Sequence, residues 1–175
     1  MCVDYRDLNR ASPKYDFPLP HIDVLVDNTA RHKIFSFMDG FFGYNQIKMA
    51  PEDMEKTTFV THWGTFCYKV MPFGLKNVRA TYQRAMVALF HDMIHHEIEV
   101  YVDDIIARSQ TKKEHLDHLQ KLFDRLKMYK LRLNPNKCTF RVRSGKLLCF
   151  VVSDKGIQVD PAKVKAIQEM PAPRT

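Results

Sequence analysis

Apolar residues recur every three or four positions in two long stretches of the chain, and each stretch predicts an amphipathic helix. From Arg79 to about His96 the stripe is Met86, Leu89, Phe90, Met93 and Ile94. From Thr111 to about Lys130 it is Leu116, Leu119, Leu122, Phe123 and Leu126, opened by the capping-box pattern Thr111-Lys112-Lys113-Glu114. Asp160 ahead of Pro161 predicts a short last helix with Val164, Ile167 and Met170 on one face, since proline suits the first helical position. Runs of β-branched and aromatic residues predict strands at Ile34–Met38, Thr57–Thr61, Thr65–Val70, Ile98–Val102, Ile105–Arg108 and Lys146–Ser153. Trp63-Gly64 and Asp154-Lys155-Gly156 are turn signals, and Cys2-Val3-Asp4-Tyr5 reads as the second half of a strand. Hairpins separated by helices, without strict strand-helix alternation, predict an α+β fold in which an antiparallel sheet carries helices on one face.

Composition narrows the class. With 175 residues, 45% of them hydrophobic and 27% charged, the chain can build one core, and overall disorder is excluded. The four cysteines show no CxxC spacing and no apolar leader precedes them, which points to a reducing, intracellular setting. No apolar stretch approaches the roughly 20 residues that a membrane-spanning helix needs, so no membrane partner is expected. A net charge of +7 favours an anionic partner such as nucleic acid. Both ends look cut, with no turn or cap ahead of residue 2 and extended, linker-like residues from Pro171 to Thr175, so the expectation is a fragment of a longer protein.

The most informative chemistry is acidic. In Ile98 to Ala107 two adjacent carboxylates, Asp103 and Asp104, interrupt two short apolar strands, which reads as a hairpin with acids at its tip. Solvated turn aspartates would also explain that pair. Phe35-Ser36-Phe37-Met38-Asp39-Gly40 likewise ends an apolar strand on an acid, and sheet pairing could bring Asp39 beside the hairpin. Carboxylates gathered this closely repel unless a divalent cation neutralises them, and hard oxygen ligands suit Mg²⁺. A pair of such ions about 3.5 to 4 Å apart serves phosphoryl transfer.

At these residues the chain resembles the reverse transcriptases of gypsy-type long-terminal-repeat retrotransposons, of a plant lineage. Six blocks carry the resemblance in the family's order: Val3-Asp4-Tyr5-Arg6-Asp7-Leu8-Asn9, Tyr15 to Ile22, Phe35 to Ile47, Met71-Pro72-Phe73-Gly74-Leu75-Lys76-Asn77, Tyr101-Val102-Asp103-Asp104 and Leu147 to Ile157. The resemblance implies a polymerase palm with an antiparallel sheet backed by helices, plus partial fingers. Partial fingers would be residues 1–15 and 48–77, the palm 16–47 and 78–157, and 158–175 the start of the thumb connection. It implies an RNA-directed DNA polymerase with Asp39, Asp103 and Asp104 as the catalytic, metal-binding triad, and the backbone carbonyl of Gly40 as a further ligand. Asp39 and Asp103 are the preferred direct ligands, because neighbours on a strand face opposite ways. Two Mg²⁺ ions, with Mn²⁺ as a substitute, would be the cofactors. Tyr44 would lie under the incoming sugar and exclude a ribose 2′-hydroxyl, with Phe73 and Gly74 shaping the same nucleotide pocket. Arg6, Asn9 and Lys76 would contact the template, and Leu148 and Cys149 would hold the primer. Implied partners are an RNA or DNA template with its primer, dNTPs and other Pol domains such as ribonuclease H, in the cytoplasm or in virus-like particles.

Several positions depart from that pattern. Phe42 stands where a small serine is expected, Arg79 where a small residue or proline is expected, and Cys149 where a glycine is expected. The basic fingertip residues of the family lie before the first block, where only Met1-Cys2 stand here, so weak or absent polymerase activity is expected of this chain alone. A non-catalytic nucleic-acid-binding remnant is therefore the competing reading. Lys112, Lys113, Lys121, Arg125, Lys127, Lys130 and Arg132 would add modestly to duplex affinity. A zinc module built on His91 and His95, or His115 and His118, is the remaining alternative, though no cysteine pair joins them.

Overall fold

The computed structural model describes residues 3–30, 32–41, 43–148, 150–153 and 155–170. Phe42, Cys149, Asp154, Met1-Cys2 and residues 171–175 thus lie outside the described residues. The elements run α1 (Arg6–Ala11), α2 (Ile22–Ala30), β1 (Ile34–Asp39), α3 (Pro51–Met54), β2 (Phe59–Thr61), β3 (Gly64–Phe66) and α4 (Val78–Phe90). They continue with β4 (Ile98–Tyr101), β5 (Asp104–Ser109), α5 (Lys112–Met128), β6 (Thr139–Val142), β7 (Ser144–Leu147), β8 (Phe150–Ser153), β9 (Gly156–Val159) and α6 (Pro161–Gln168).

The central sheet has the order β4-β5-β1-β6 and every pairing in it is antiparallel, as the hairpin pattern predicts. Alternation along β1 and β5 sends Met38, Ile105 and Ala107 to one face, where they pack with Met86 and Phe90 of α4 and Leu122 and Leu126 of α5. These two helices are the ones legible from their apolar stripes, and Thr111 with Glu114 forms the anticipated capping box. Phe35 and Ile106 face the other way, onto Leu25 and Val26 of α2 and onto Leu147 and Val152 of the β7-β8-β9 sheet. The sheet is therefore covered on both faces, a layer more than the pattern predicts. Among the described residues no helix is long and apolar enough to cross a membrane.

Five expectations are corrected. Val3 to Tyr5 form no strand; Asp4 accepts the Arg6 N–H at 3.0 Å and α1 starts there. The helix from Arg79 stops at Phe90, and residues 91–97 turn, with His95 at φ +68; Met93 stays buried, so the stripe was right about burial and wrong about winding. The expected strand Thr65–Val70 ends at Phe66, with Val70 bridging Lys48 alone; the expected strand Thr57–Thr61 starts only at Phe59, because Thr57 belongs to a 3₁₀ turn. Lys146–Ser153 is a hairpin, not one strand: Leu147 pairs Phe150, and Leu148 takes φ +55 in the turn. No glycine or proline marks that turn in the sequence, which is why it reads as continuous.

Candidate active site

The antiparallel register sets the site. In the β1–β5 ladder Asp39 lies directly opposite Asp104, and in the β4–β5 ladder Tyr101 lies opposite the same residue. Val102 and Asp103 are left as a two-residue turn, a geometry that demands positive φ, and Val102 accepts +51 although it is β-branched. Gln83 of α4 holds the turn in place. The Val102 N–H donates to Gln83 Oε1 at 2.7 Å, and Gln83 Nε2 donates to the Val100 carbonyl at 3.3 Å. The Gly40 N–H donates to the Asp103 carbonyl at 2.9 Å, so the end of β1 and the turn are joined directly. Gln83 was missed in the sequence; its signal was an amide at helical spacing with Met86 and Phe90, on a face that turns out fully buried.

The three acids feel one another. The Asp103 carboxyl is pushed up to about 6, first by burial and then by the charges of Asp39 and Asp104, with Lys137 and Arg79 opposing. Burial and Asp39 raise Asp104 in the same direction. Asp103 Oδ1 is buried without a hydrogen-bond partner among the described residues. It fits only because residue 43 is glycine, since a Cβ there would overlap Oδ1. Lys137 supplies a counter-charge, its Nζ 3.2 Å from Asp39 Oδ2, while Asp39's carbonyl accepts the Asn134 N–H at 2.8 Å. Lys137 is a second residue the sequence did not single out; it lies 98 positions from its partner and nothing local announces the pairing.

Among the described residues no three acid, imidazole or thiol groups converge as ligands of a single ion. The donor set nevertheless fits hard divalent cations, because mutually repelling carboxylates, with Asp103 Oδ1 buried and unpartnered among the described residues, are what such ions neutralise. A cavity of about 290 Å³ opens beside the acids, lined also by Tyr44, Arg79 and Leu19. A second, of about 250 Å³, separates Asp39 and Asp104 from Lys146 and Leu147 of the β7-β8 hairpin. That hairpin can lie this close to β1 because residue 145 is glycine; a Cβ there would overlap the Phe37 ring.

The other anticipated residues distribute as follows. Tyr44 is buried at the cavity wall, edge-on to Phe73 and to Tyr82 with centroids 5.4 Å away in both cases. Burial raises its hydroxyl pKa, Asp103 adds to that, and a hydrogen bond with Arg79 works against it. Phe73 is largely exposed, and Gly74 takes φ +93. Asn9 donates to the Gly74 carbonyl at 2.7 Å and accepts the Lys76 N–H at 2.7 Å, while Lys76 Nζ donates to the Ser12 carbonyl at 2.9 Å. Asn9 and Lys76 thus clamp α1 to the 74–77 loop, and Arg6 pairs with Asp4. Leu148 packs against the Phe35 side of the sheet, and Cys149 lies outside the described residues. The histidines proposed for zinc go to separate partners: His115 to Ser36 and Ser109, His118 to the Arg108 carbonyl, His95 to Glu99, and His91 to the Ala88 carbonyl.

Comparison with known proteins agrees with this geometry. The family model described as reverse transcriptase (RNA-dependent DNA polymerase) matches residues 1–168. The chain is 36% identical over 171 residues to the Retrovirus-related Pol polyprotein from transposon 297 of Drosophila melanogaster, covering 98% of this chain and 16% of that one. It is 35% identical over 173 residues to the corresponding polyprotein from transposon gypsy, covering 99% and 17%. An RNA-directed DNA polymerase homolog of Oenothera berteroana is 38% identical over 123 residues, covering 69% and 87%. Among solved structures, the foamy viral protease-reverse transcriptase in complex with double-stranded DNA aligns with a TM-score of 0.88 at 25% identity, covering 98% and 30%. The same viral protein with an RNA/DNA hybrid gives 0.83, covering 98% and 23%. The chain spans under a fifth of the two fly polyproteins it matches. On the family match, the six blocks and the palm-like sheet that gathers three acids, the chain belongs to the reverse transcriptase (RNA-dependent DNA polymerase) family.

Proposed function

We propose that this chain is the finger-and-palm part of an RNA-directed DNA polymerase that extends a primer on an RNA or DNA template from dNTPs. The observation that carries the reading is the register that puts Asp39 opposite Asp104 with Asp103 in the adjoining turn. Asp39 and Asp103 would hold two Mg²⁺ ions, with Mn²⁺ as a substitute and the Gly40 carbonyl as a further ligand. When bound, those ions would lower the pKa of an attacking hydroxyl and stabilise the leaving oxygen. In the reaction the primer's 3′-oxygen would form a bond to the α-phosphorus and lose its proton to solvent, while the bond from the α-phosphorus to the α,β-bridging oxygen breaks and pyrophosphate leaves. Tyr44, at the cavity wall, would lie under the sugar, with Phe73 and Gly74 beside it. The β7-β8 hairpin with Leu148 and Cys149 would steady the primer, and Arg6, Asn9 and Lys76 the template side.

Fingers at 1–15 and 48–77, palm at 16–47 and 78–157 and a thumb approach from 158 belong to the same reading, as do attached Pol domains such as ribonuclease H and a cytoplasmic or virus-like-particle location. Two side chains make the expected rate low. Arg79 reaches into the acid cavity, and Lys137 occupies Asp39 until a metal displaces it. Primer extension with Mg²⁺ on the purified chain tests the proposal, with Mn²⁺ binding followed by electron paramagnetic resonance. Slow addition that Asp103→Asn abolishes, with template binding and fold intact, is the expected result. Retained incorporation by Asp103→Asn would overturn the site, and robust processive synthesis the low rate. Salt-sensitive binding of nucleic acid with neither incorporation nor Mn²⁺ uptake would favour the non-catalytic reading instead.

A further inference from the structure

The basic set anticipated around α5 divides on folding. Lys121 pairs with Glu97 at 2.7 Å and Arg125 pairs with Asp92 at 2.8 Å, so these two charges are matched internally. Lys112 instead joins three cations from other parts of the chain, Lys33, Arg141 and Arg143, around a cavity of about 440 Å³. Among the described residues none of these four makes an ion pair. Glu114, the acid nearest in sequence, is committed to the Gln110 and Thr111 N–H groups at 2.9 and 3.2 Å. Four like charges gathered without a carboxylate partner repel one another, an arrangement that an arriving anion relieves.

The backbone is shaped to gather them. Phe35 pairs Val142 and Phe37 pairs Thr139, so β6 carries one extra residue, a bulge that re-aims side chains. Arg141 sits in it at φ +52, a conformation that costs a non-glycine residue on the order of 1 kcal/mol and persists only where its surroundings enforce it. Ser36, fully buried, enforces it by accepting the Arg141 N–H at 3.1 Å, and His115 fixes Ser36 in turn at 2.8 Å.

We propose that the β6 bulge and the start of α5 form a second phosphate-binding site, remote from the acids, that takes the backbone of a nucleic acid whose end lies at Asp39. Cations lead from one place to the other: Lys137 contacts Asp39, and Arg141 and Arg143 follow along the same edge of the sheet. The five residue steps of β1 from Asp39 to Ile34 span about 17 Å. At 3.4 Å per nucleotide along a strand, that is about five nucleotides. The polymerase reading enters only in naming the anion.

The test is fluorescence anisotropy of a labelled RNA–DNA hybrid between 50 and 200 mM salt. The whole chain is compared with Lys33→Gln/Lys112→Gln/Arg141→Gln/Arg143→Gln. The exposed pair Lys33→Gln/Lys112→Gln guards against misfolding, and neutralisation of the exposed Lys69, Lys155, Lys163 and Lys165 controls for net charge. The salt slope should fall by about 3.6 in the quadruple variant and about 1.8 in the double, at about 0.9 per phosphate contact, and less in the control. Slopes equal to the control's would overturn the site. Asp103→Asn is run alongside: its incorporation defect reports on the polymerase reading, and its unchanged slope shows that the two claims stand or fall separately.

Discussion

Asp39 and Asp104 face each other across one rung of the β1–β5 ladder, and Asp103 immediately precedes Asp104 in the turn that Gln83 braces. Their charges are thereby held together by main-chain pairing, so the sheet must bear their repulsion whenever the site holds no cation. Burial and this repulsion lift Asp103 from its ordinary 3.8 to about 6.

That lift has a sign. A carboxyl whose folded pKa exceeds its unfolded value stabilises the fold below the unfolded value and loses that contribution as pH rises through the folded one. Carboxyl carbon NMR should show Asp103 titrating near 6, and Asp39→Asn should bring the midpoint down without restoring 3.8, because burial remains. Asp103→Asn should gain stability at pH 8 relative to the parent; a loss would contradict the repulsion.

Gly43→Ala is expected to displace the Asp103 carboxyl, since the new methyl would overlap Oδ1. Overpacking of this kind costs about 1–3 kcal/mol. Mn²⁺ affinity should fall with it, read by electron paramagnetic resonance on protein shown to be folded.

His115 is buried between two buried serines, with Ser36 Oγ and Ser109 Oγ each 2.8 Å from a ring nitrogen. A neutral imidazole supplies one donor and one acceptor. Burial, then His118 and Arg141, hold its pKa below the ordinary 6.5. The unfolded chain therefore takes up this proton more readily, and stability present above pH 6.5 should drain away as the pH falls below it. His115→Ala should cost about 2 kcal/mol by leaving the serines unsatisfied, and should flatten the pH dependence in urea titrations between pH 7 and 5.

Glu99 and Arg108 form a buried ion pair at 2.8 Å, and Arg108 also donates to the carbonyls of Asn28 and His95. Breaking one side strands the other charge, so Glu99→Gln should cost about 3–5 kcal/mol in denaturant titration. Glu99→Leu/Arg108→Met should recover part of that loss; a double variant no better than the single would show that the carbonyl contacts dominate.

The sequence by itself determined the amphipathic helices α4 and α5, the acid-tipped hairpin and the ordered blocks that fix the family, because periodicity, caps and short motifs are local and survive in one dimension. It overran α4, where turns keep Met93 buried without winding, and merged β7 with β8, where Leu148 bends the chain without a glycine to announce it. Only the tertiary structure decided which charges meet. Lys137 reaches Asp39, Gln83 reaches Val102, and Lys33, Lys112, Arg141 in β6 and Arg143 just after it converge, each across a gap in the chain. Those meetings depend on strand register and on a single bulged residue, and a shift of one residue in either would turn the same side chains to the opposite face.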